Sequence, residues 1–304
     1  MRRSRLLPAV AAMLAMLAML AMLATVTTCQ DERDVRVATF NIEMFLSPRT
    51  DLARVVDTIA AADADIMGVQ EIANPLLLQL ALGGASEATG RELALLRSEC
   101  GDTGWFSPAI VYDAERWTPV LVREYPALDP ARRSGCSRTH QSALLAVLAD
   151  EDDRRIAVLS VHLRAHSENF PVRREQWSRV LRIASDVRAE LSLPTVLLGD
   201  MNSTGFTGEP AEERDFVREV VARADFDLLT DDLECSEYWR PNGGAFFEPS
   251  VLDHIVVSAG SWEEVEVQGY CARLACKRTA TDRMDPDFHH VSDHCPVVVD
   301  GALD

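Results

Sequence analysis

The chain has 304 residues, a formal charge of −18 and 47% hydrophobic residues. That composition provides for a sizeable core and excludes general disorder. Lys277 is the only lysine, so arginine carries nearly all the positive charge. The overall field excludes nonspecific capture of polyanions, and an anionic substrate must be held locally by arginines and a bound cation.

Arg2, Arg3 and Arg5 precede an apolar stretch in which AML repeats four times between residues 12 and 23. A basic start, an apolar middle and a short Thr-rich exit predict a signal peptide over residues 1–28. A single membrane anchor is the competing reading, because the stretch approaches spanning length. Val26-Thr27-Thr28-Cys29 resembles a bacterial lipoprotein box, although Thr28 departs from the small residue usual there. Cys29 is therefore a candidate for lipidation, and the chain is expected to be exported, as a cell-envelope lipoprotein or a secreted protein. Residues 29–34 read as a linker. Residues 35–304 read as one domain, because no Gly-, Pro- or Ser-rich segment divides them.

Residues 35–42 (VRVATFNI) form a predicted strand, and residues 51–62 follow with Leu52, Val55, Val56 and Ile59 on one helical face. DIMGVQE, residues 65–71, is a second strand. Residues 75–97 are expected to be helical with a Gly-rich break. Short strands follow (PAIVY, TPVLV, SALLAVL and RRIAVLSVHL), and residues 172–191 make the clearest amphipathic helix. PTVLLGDMNS, residues 194–203, is a short apolar run ending abruptly at Gly199 and Asp200. Residues 209–222 read as a helix and 235–249 as a loop carrying Phe246 and Phe247. Strands over 250–258 and 291–299 close the chain.

Six cysteines follow Cys29, an even number behind a secretory start, which predicts disulfides. Cys100 with Cys136 is the first expected pair, and Cys295 is either a half-cystine or a buried free thiol.

The chemistry gathers at strand ends. In chain order these carry Asn41, Glu71, His162, Asp200 with Asn202, Asp253, and Asp293 with His294. Each alone is more ordinary as a cap, a turn or a core histidine; their recurrence at so many strand ends is what points to a site. No nucleophilic Ser or Cys elbow is present. Oxygen donors of this kind suit Mg²⁺ or Mn²⁺ rather than zinc.

TFNIEMF, GVQEI, SVHLRAH, LLGDMNS, LDHIVVS and SDHCPV, in that order, resemble the motifs of the endonuclease/exonuclease/phosphatase superfamily. The resemblance covers residues 35–299. It implies an α/β four-layer sandwich, two mixed β-sheets face to face and flanked by helices, as in DNase I-like proteins. By the same resemblance Glu71 would hold the metal, with Asn41 beside it and Asp293 as a further metal-side carboxylate. Asp200 would orient or deprotonate the attacking water, Asn202 would bind phosphate, Asp253 would pair with His294, and His162 would be the second histidine against the phosphate. Arg138 is the implied phosphate contact; Arg173 and Gln176 match an Arg-x-x-Q pattern expected to organise the helix and the site, with substrate contact as a second implied role of Arg173. Glu43 stands where many members have Asp and receives no role.

The resulting expectation is a metal-dependent phosphodiesterase acting on nucleic acid. A sphingomyelinase-like or inositol-phosphate phosphoesterase is the alternative, and a non-catalytic lipoprotein binding module the remote one. Spaced arginines along a groove favour nucleic acid; an exposed apolar hairpin at Phe246-Phe247 would favour lipid.

Overall fold

A computed structural model describes residues 35–45, 47–99, 107–126, 128, 142–206, 211–258 and 260–303. The expected signal peptide with Cys29, the expected linker, the expected Cys100–Cys136 pair and Arg138 lie outside the described residues.

β1 (Val35–Phe45) is almost entirely buried, and a crossover through α1 (Leu52–Ala62) returns the chain to β2 (Ile66–Ile72), parallel to it. Asp51 caps α1 by accepting from Ala53 N. α2 (Pro75–Thr89), β3 (Leu93–Arg97) and β4 (Ala109–Asp113) complete this half. The second half repeats the device. β5 (Thr118–Tyr125) and β6 (Ala143–Ala149) lead to β7 (Arg155–His162), and the long α3 (Phe170–Leu191) crosses to the parallel β8 (Thr195–Asp200).

α4 (Glu212–Arg223), β9 (Asp227–Leu228), β10 (Glu237–Trp239), β11 (Phe246–Ser250) and β12 (Asp253–Val257) follow. The remaining elements are β13 (Ser261–Trp262), β14 (Glu266–Val267), α5 (Gly269–Leu274), β15 (Thr279–Ala280), α6 (Pro286–His290) and β16 (Val297–Ala302). One sheet runs β13-β16-β1-β2-β4-β3, with β14 also on β16. The other runs β5-β6-β7-β8-β12-β9, and β10-β11-β15 form a small third sheet.

Strand alternation sorts the core into layers. Val35 and Val37 of β1, Val158 of β7 and Leu198 of β8 meet between the two large sheets. Ala38 and Phe40 point the other way, onto α1 and α2, while Leu159 and Leu197 pack beneath Trp177 of α3. The order is helix, sheet, sheet, helix, the four-layer sandwich expected. Gly68 lets the sheets close up, since a Cβ there would lie 2.0 Å from Leu198 Cδ1.

The sequence reading needs revision in four elements. The Gly83-Gly84 pair does not break α2, because Gly84 is the close-approach point against Val56 of α1. Residues 93–97 are a strand rather than helix. The expected loop over 235–249 contains β10 and most of β11. Finally, the last strand begins only at Val297, just after Pro296, which has no N–H for a ladder. Among the described cysteines, disulfides join Cys235 to Cys276 and Cys271 to Cys295, so Cys295 is a half-cystine. The two bridges fix the small sheet and α5 to the segment that carries His294.

Candidate active site

The same alternation that fills the sheet interface with Val and Leu fills its end with polar groups. Thr39 and Asn41 continue the interior face of β1, Gln70 that of β2, Ser160 and His162 that of β7, Asp200 that of β8, and Asp253 that of β12. One level below the site, Thr39 Oγ1 donates to Gln70 Oε1 and Gln70 Nε2 to Ser160 Oγ, both at 3.4 Å, bridging the sheets. Register brings the strand ends together: Asn41 stands opposite Gln70, His162 opposite Asp200, and Asp200 opposite Asp253. His294 arrives from the irregular segment before β16, where Ser292 Oγ donates to Asn41 O at 2.7 Å and accepts from His294 N at 3.0 Å.

Asp200 is the hub and is 2% exposed. Its Oδ2 accepts from Asn41 Nδ2 at 2.9 Å and lies 3.3 Å from His162 Nε2 and 3.8 Å from His294 Nε2. Its Oδ1 accepts from the Asn202 backbone N–H at 2.9 Å. Burial would raise its pKa, but the two histidines outweigh burial and hold it well below the usual carboxylate range. Asp200 is thus a permanent anion, better suited to orienting a water than to taking its proton. Burial likewise opposes the charge on His294, and Asp253, with Oδ2 2.7 Å from Nδ1, reverses that and pushes the imidazole well above its ordinary value. His162 is raised in the same way by Asp200.

Glu71 leaves the strand pattern through a left-handed backbone, φ 62°. That turn directs its carboxylate toward the interface, where Oε2 accepts from Met44 N and Oε1 from Asn41 Nδ2, at 3.0 and 3.1 Å. Asn202 is also left-handed, φ 51°, and one of its amide N–H groups donates to Leu163 O at 3.1 Å.

Two of the expected side chains are engaged by other groups of the protein. Asn41 turns its amide nitrogen to Glu71 and Asp200 while its oxygen accepts from Glu43 N at 3.0 Å. In this orientation it links the two carboxylates. Arg173 is fully buried, paired with Glu213 at 2.6 Å and donating to Arg164 O and His166 O. It braces the loop after His162, the organising role implied by the Arg-x-x-Q pattern. Gln176 does the same, accepting from Arg164 N at 3.0 Å.

Glu71, His162 and Asp200 form one group whose ligand atoms lie within 4.8 Å of each other, and Glu237, Asp293 and His294 form another. Asp293 Oδ1 lies 3.8 Å from His294 Nε2, the ring nitrogen that also faces Asp200. Partial burial of a side chain that is 37% exposed, together with the neighbouring carboxylates, pushes the Asp293 carboxyl above the usual range. Glu237 escaped the sequence reading because CSEYW carries no signal. It is buried, forms an antiparallel bridge with His294 and accepts from Ser250 Oγ; burial pushes its carboxyl up to about 7. Carboxylates here outnumber the two imidazoles, and the excess buried oxygen donors fit a hard divalent cation.

His254, next to Asp253, points away from the site. Its ring is fully buried, with Nδ1 2.7 Å from Thr230 Oγ1 and no partner on Nε2 among the described residues. Burial pushes its pKa down to about 3 from an ordinary 6.5. The folded chain keeps this ring neutral while the unfolded chain protonates it, so stability present above about pH 6.5 is lost as pH falls toward 3. Urea unfolding should show His254 contributing about 2 kcal/mol less at pH 5 than at pH 7. His254→Asn should flatten that slope, and an unchanged slope would refute the assignment.

Three solved structures share this architecture. A Bacteroides thetaiotaomicron mannosyl-6-phosphatase is 18% identical with TM-score 0.57, over 88% of this chain and 99% of that one. The human Nocturnin catalytic domain with bound sulfate anion is 18% identical with TM-score 0.58, over 89% and 94%. D. rerio TDP2 complexed with single strand DNA product is 13% identical with TM-score 0.60, over 88% and 98%. At these identities the likeness is one of fold. No curated protein matches the sequence. Residues 38–294 match the family model described as Endonuclease/Exonuclease/phosphatase family. With that match over most of its length, the chain belongs to the endonuclease/exonuclease/phosphatase family of metal-dependent phosphoesterases.

Proposed function

We propose that the chain is an exported phosphodiesterase acting on nucleic acid with Mg²⁺ or Mn²⁺. The observation that carries the catalytic part is the convergence of His162, Asp200 and the Asp253–His294 pair on one point at the end of the sheet interface. Glu71 and Asp293 are the carboxylates that would hold the cation, which when bound supplies positive charge to the phosphate oxygens. Asp200, held ionised, accepts a hydrogen bond from water and aims it at phosphorus. His162 and His294, held cationic, donate to the equatorial oxygens as negative charge grows on them. Asp253 fixes the His294 ring so that Nε2 faces the phosphate. Asn202 has a second amide N–H for a phosphate oxygen.

A DNA product bound by the similar D. rerio TDP2 supports a nucleic-acid substrate. Export rests on the N-terminal pattern, and the two disulfides are consistent with an oxidising compartment; tethering through Cys29 is part of the same proposal. The purified mature chain should hydrolyse DNA or RNA faster than sphingomyelin, inositol phosphates or sugar phosphates. Excess EDTA should abolish turnover and Mg²⁺ or Mn²⁺ restore it. Binding of the ion alone should raise the melting temperature, since saturation at about 100 times Kd adds about 2.7 kcal/mol. Full activity in excess chelator rules out the mechanism, and preference for a lipid or small phosphate rules out the substrate class.

A further inference from the structure

The hairpin formed by β10 and β11 has two faces of different character. Register sets Glu237 opposite Ser250, Tyr238 opposite Pro249 and Trp239 opposite Glu248. Tyr238 and Phe247 therefore share one face, and both are buried in a cluster with Tyr270 and the disulfides. The other face begins in the active site, because Glu237 is bridged to His294. Moving outward along it come Trp239, 48% exposed, and Phe246, 38% exposed. Trp239 lies two residues beyond Glu237, about 7 Å along the strand.

From this geometry we infer that Trp239 and Phe246 form a stacking platform for bases next to the scissile phosphate, making single-stranded nucleic acid the substrate class. The inference rests on the phosphodiesterase reading of the site and adds the part of the substrate that the catalytic groups do not touch. Arginine accompanies the aromatics: the Arg278 guanidinium lies 4.2 Å from the Phe246 ring centroid and pairs with Glu248 at 2.6 Å. Arg240, next to Trp239, belongs to the opposite face, with its guanidinium 5.9 Å from the Phe247 ring centroid. On the platform face two flat rings with the Arg278 guanidinium beside them suit bases and a phosphate. A membrane-inserting hairpin would carry its large apolar residues at the tip, whereas Pro241 to Ala245 read PNGGA and Phe247 is packed inward. A duplex keeps its bases stacked on one another, so the platform serves an unpaired strand.

The test uses a fluorescent oligothymidylate and the full mature chain. Anisotropy in excess EDTA reads binding without cleavage, and steady-state kinetics with Mg²⁺ reads KM and kcat. Trp239→Ala and Phe246→Ala should each weaken binding by roughly tenfold or more and raise KM by a similar factor, with a smaller change in kcat. Trp239→Phe should restore most of the binding. The ratio of oligonucleotide to bis(p-nitrophenyl) phosphate hydrolysis should fall about tenfold in the alanine variants, a ratio that cancels any loss of folded protein. Oligonucleotide binding and ratio unchanged in both alanine variants would overturn the platform, as would variants that lose affinity only for sphingomyelin vesicles. Absence of cleavage by the wild-type chain, with aromatic-dependent binding retained, would instead overturn the nuclease reading and leave the platform standing.

Discussion

His294→Ala should lower kcat on a phosphodiester about 10²–10³-fold, the usual worth of one donor aimed at charge that develops in the transition state. The ring is held at Nδ1, 2.7 Å from Asp253 Oδ2, and turns Nε2 toward the site, 3.8 Å from Asp200 Oδ2. Asp253→Asn should also lower kcat, because an amide cannot hold the imidazole cationic. Combining the two should cost little beyond His294→Ala alone, since residues acting as a unit are not additive. Circular dichroism and a melting curve separate this from unfolding, as Asp253 is fully buried. A folded His294→Ala protein with near-normal turnover would remove His294 from the mechanism.

Gly199→Ala should have the largest effect on stability, about 3 kcal/mol or more by urea unfolding. Gly199 has φ 146°, and a Cβ there would sit 2.0 Å from the Val161 carbonyl oxygen and 3.0 Å from Val161 N. Both contacts are to backbone, so relief requires the parallel β7–β8 pair to part. That pair places His162 opposite Asp200 one residue further on. Turnover of the folded fraction should therefore fall more than tenfold. Gly83→Ala is the matched control: its Cβ would meet nothing within 4 Å, and it should be neutral or stabilising by up to about 1 kcal/mol. Equal stability of the two variants would refute the close-approach account.

The strand-end residues were legible because their positions follow from alternation and from where apolar runs stop. Asn41, His162, Asp200 and Asp253 all continue the face that their strands turn to the opposite sheet. Glu71 reaches the site for a reason sequence does not display: its left-handed backbone reverses the alternation that would send it outward. The amide orientation of Asn41 depends on competition between Glu71, Asp200 and Glu43 N, groups distant or irregular in sequence. The Arg-x-x-Q pattern pointed to an organising role for Arg173, but its partner Glu213, 40 residues away on α4, was not legible. Glu237 had no motif, and only its bridge to His294 brings it in. The glycine pair in α2 was misread because helix propensity argues for a break there, whereas packing against Val56 decides it.

The scarcity of lysine has a practical corollary. Lys277 is exposed at the foot of the hairpin, between Cys276 and Arg278. A lysine-specific protease can therefore cut the chain at one peptide bond only. The shorter fragment would carry His294 and β16, and only the Cys271–Cys295 bond would join it covalently to the rest. Electrophoresis of the nicked protein with and without reductant would then report whether that bond had formed, in preparations from any compartment. The same residue gives amine-reactive dyes a single side-chain target beside the platform, so one fluorophore can follow that hairpin as an oligonucleotide arrives.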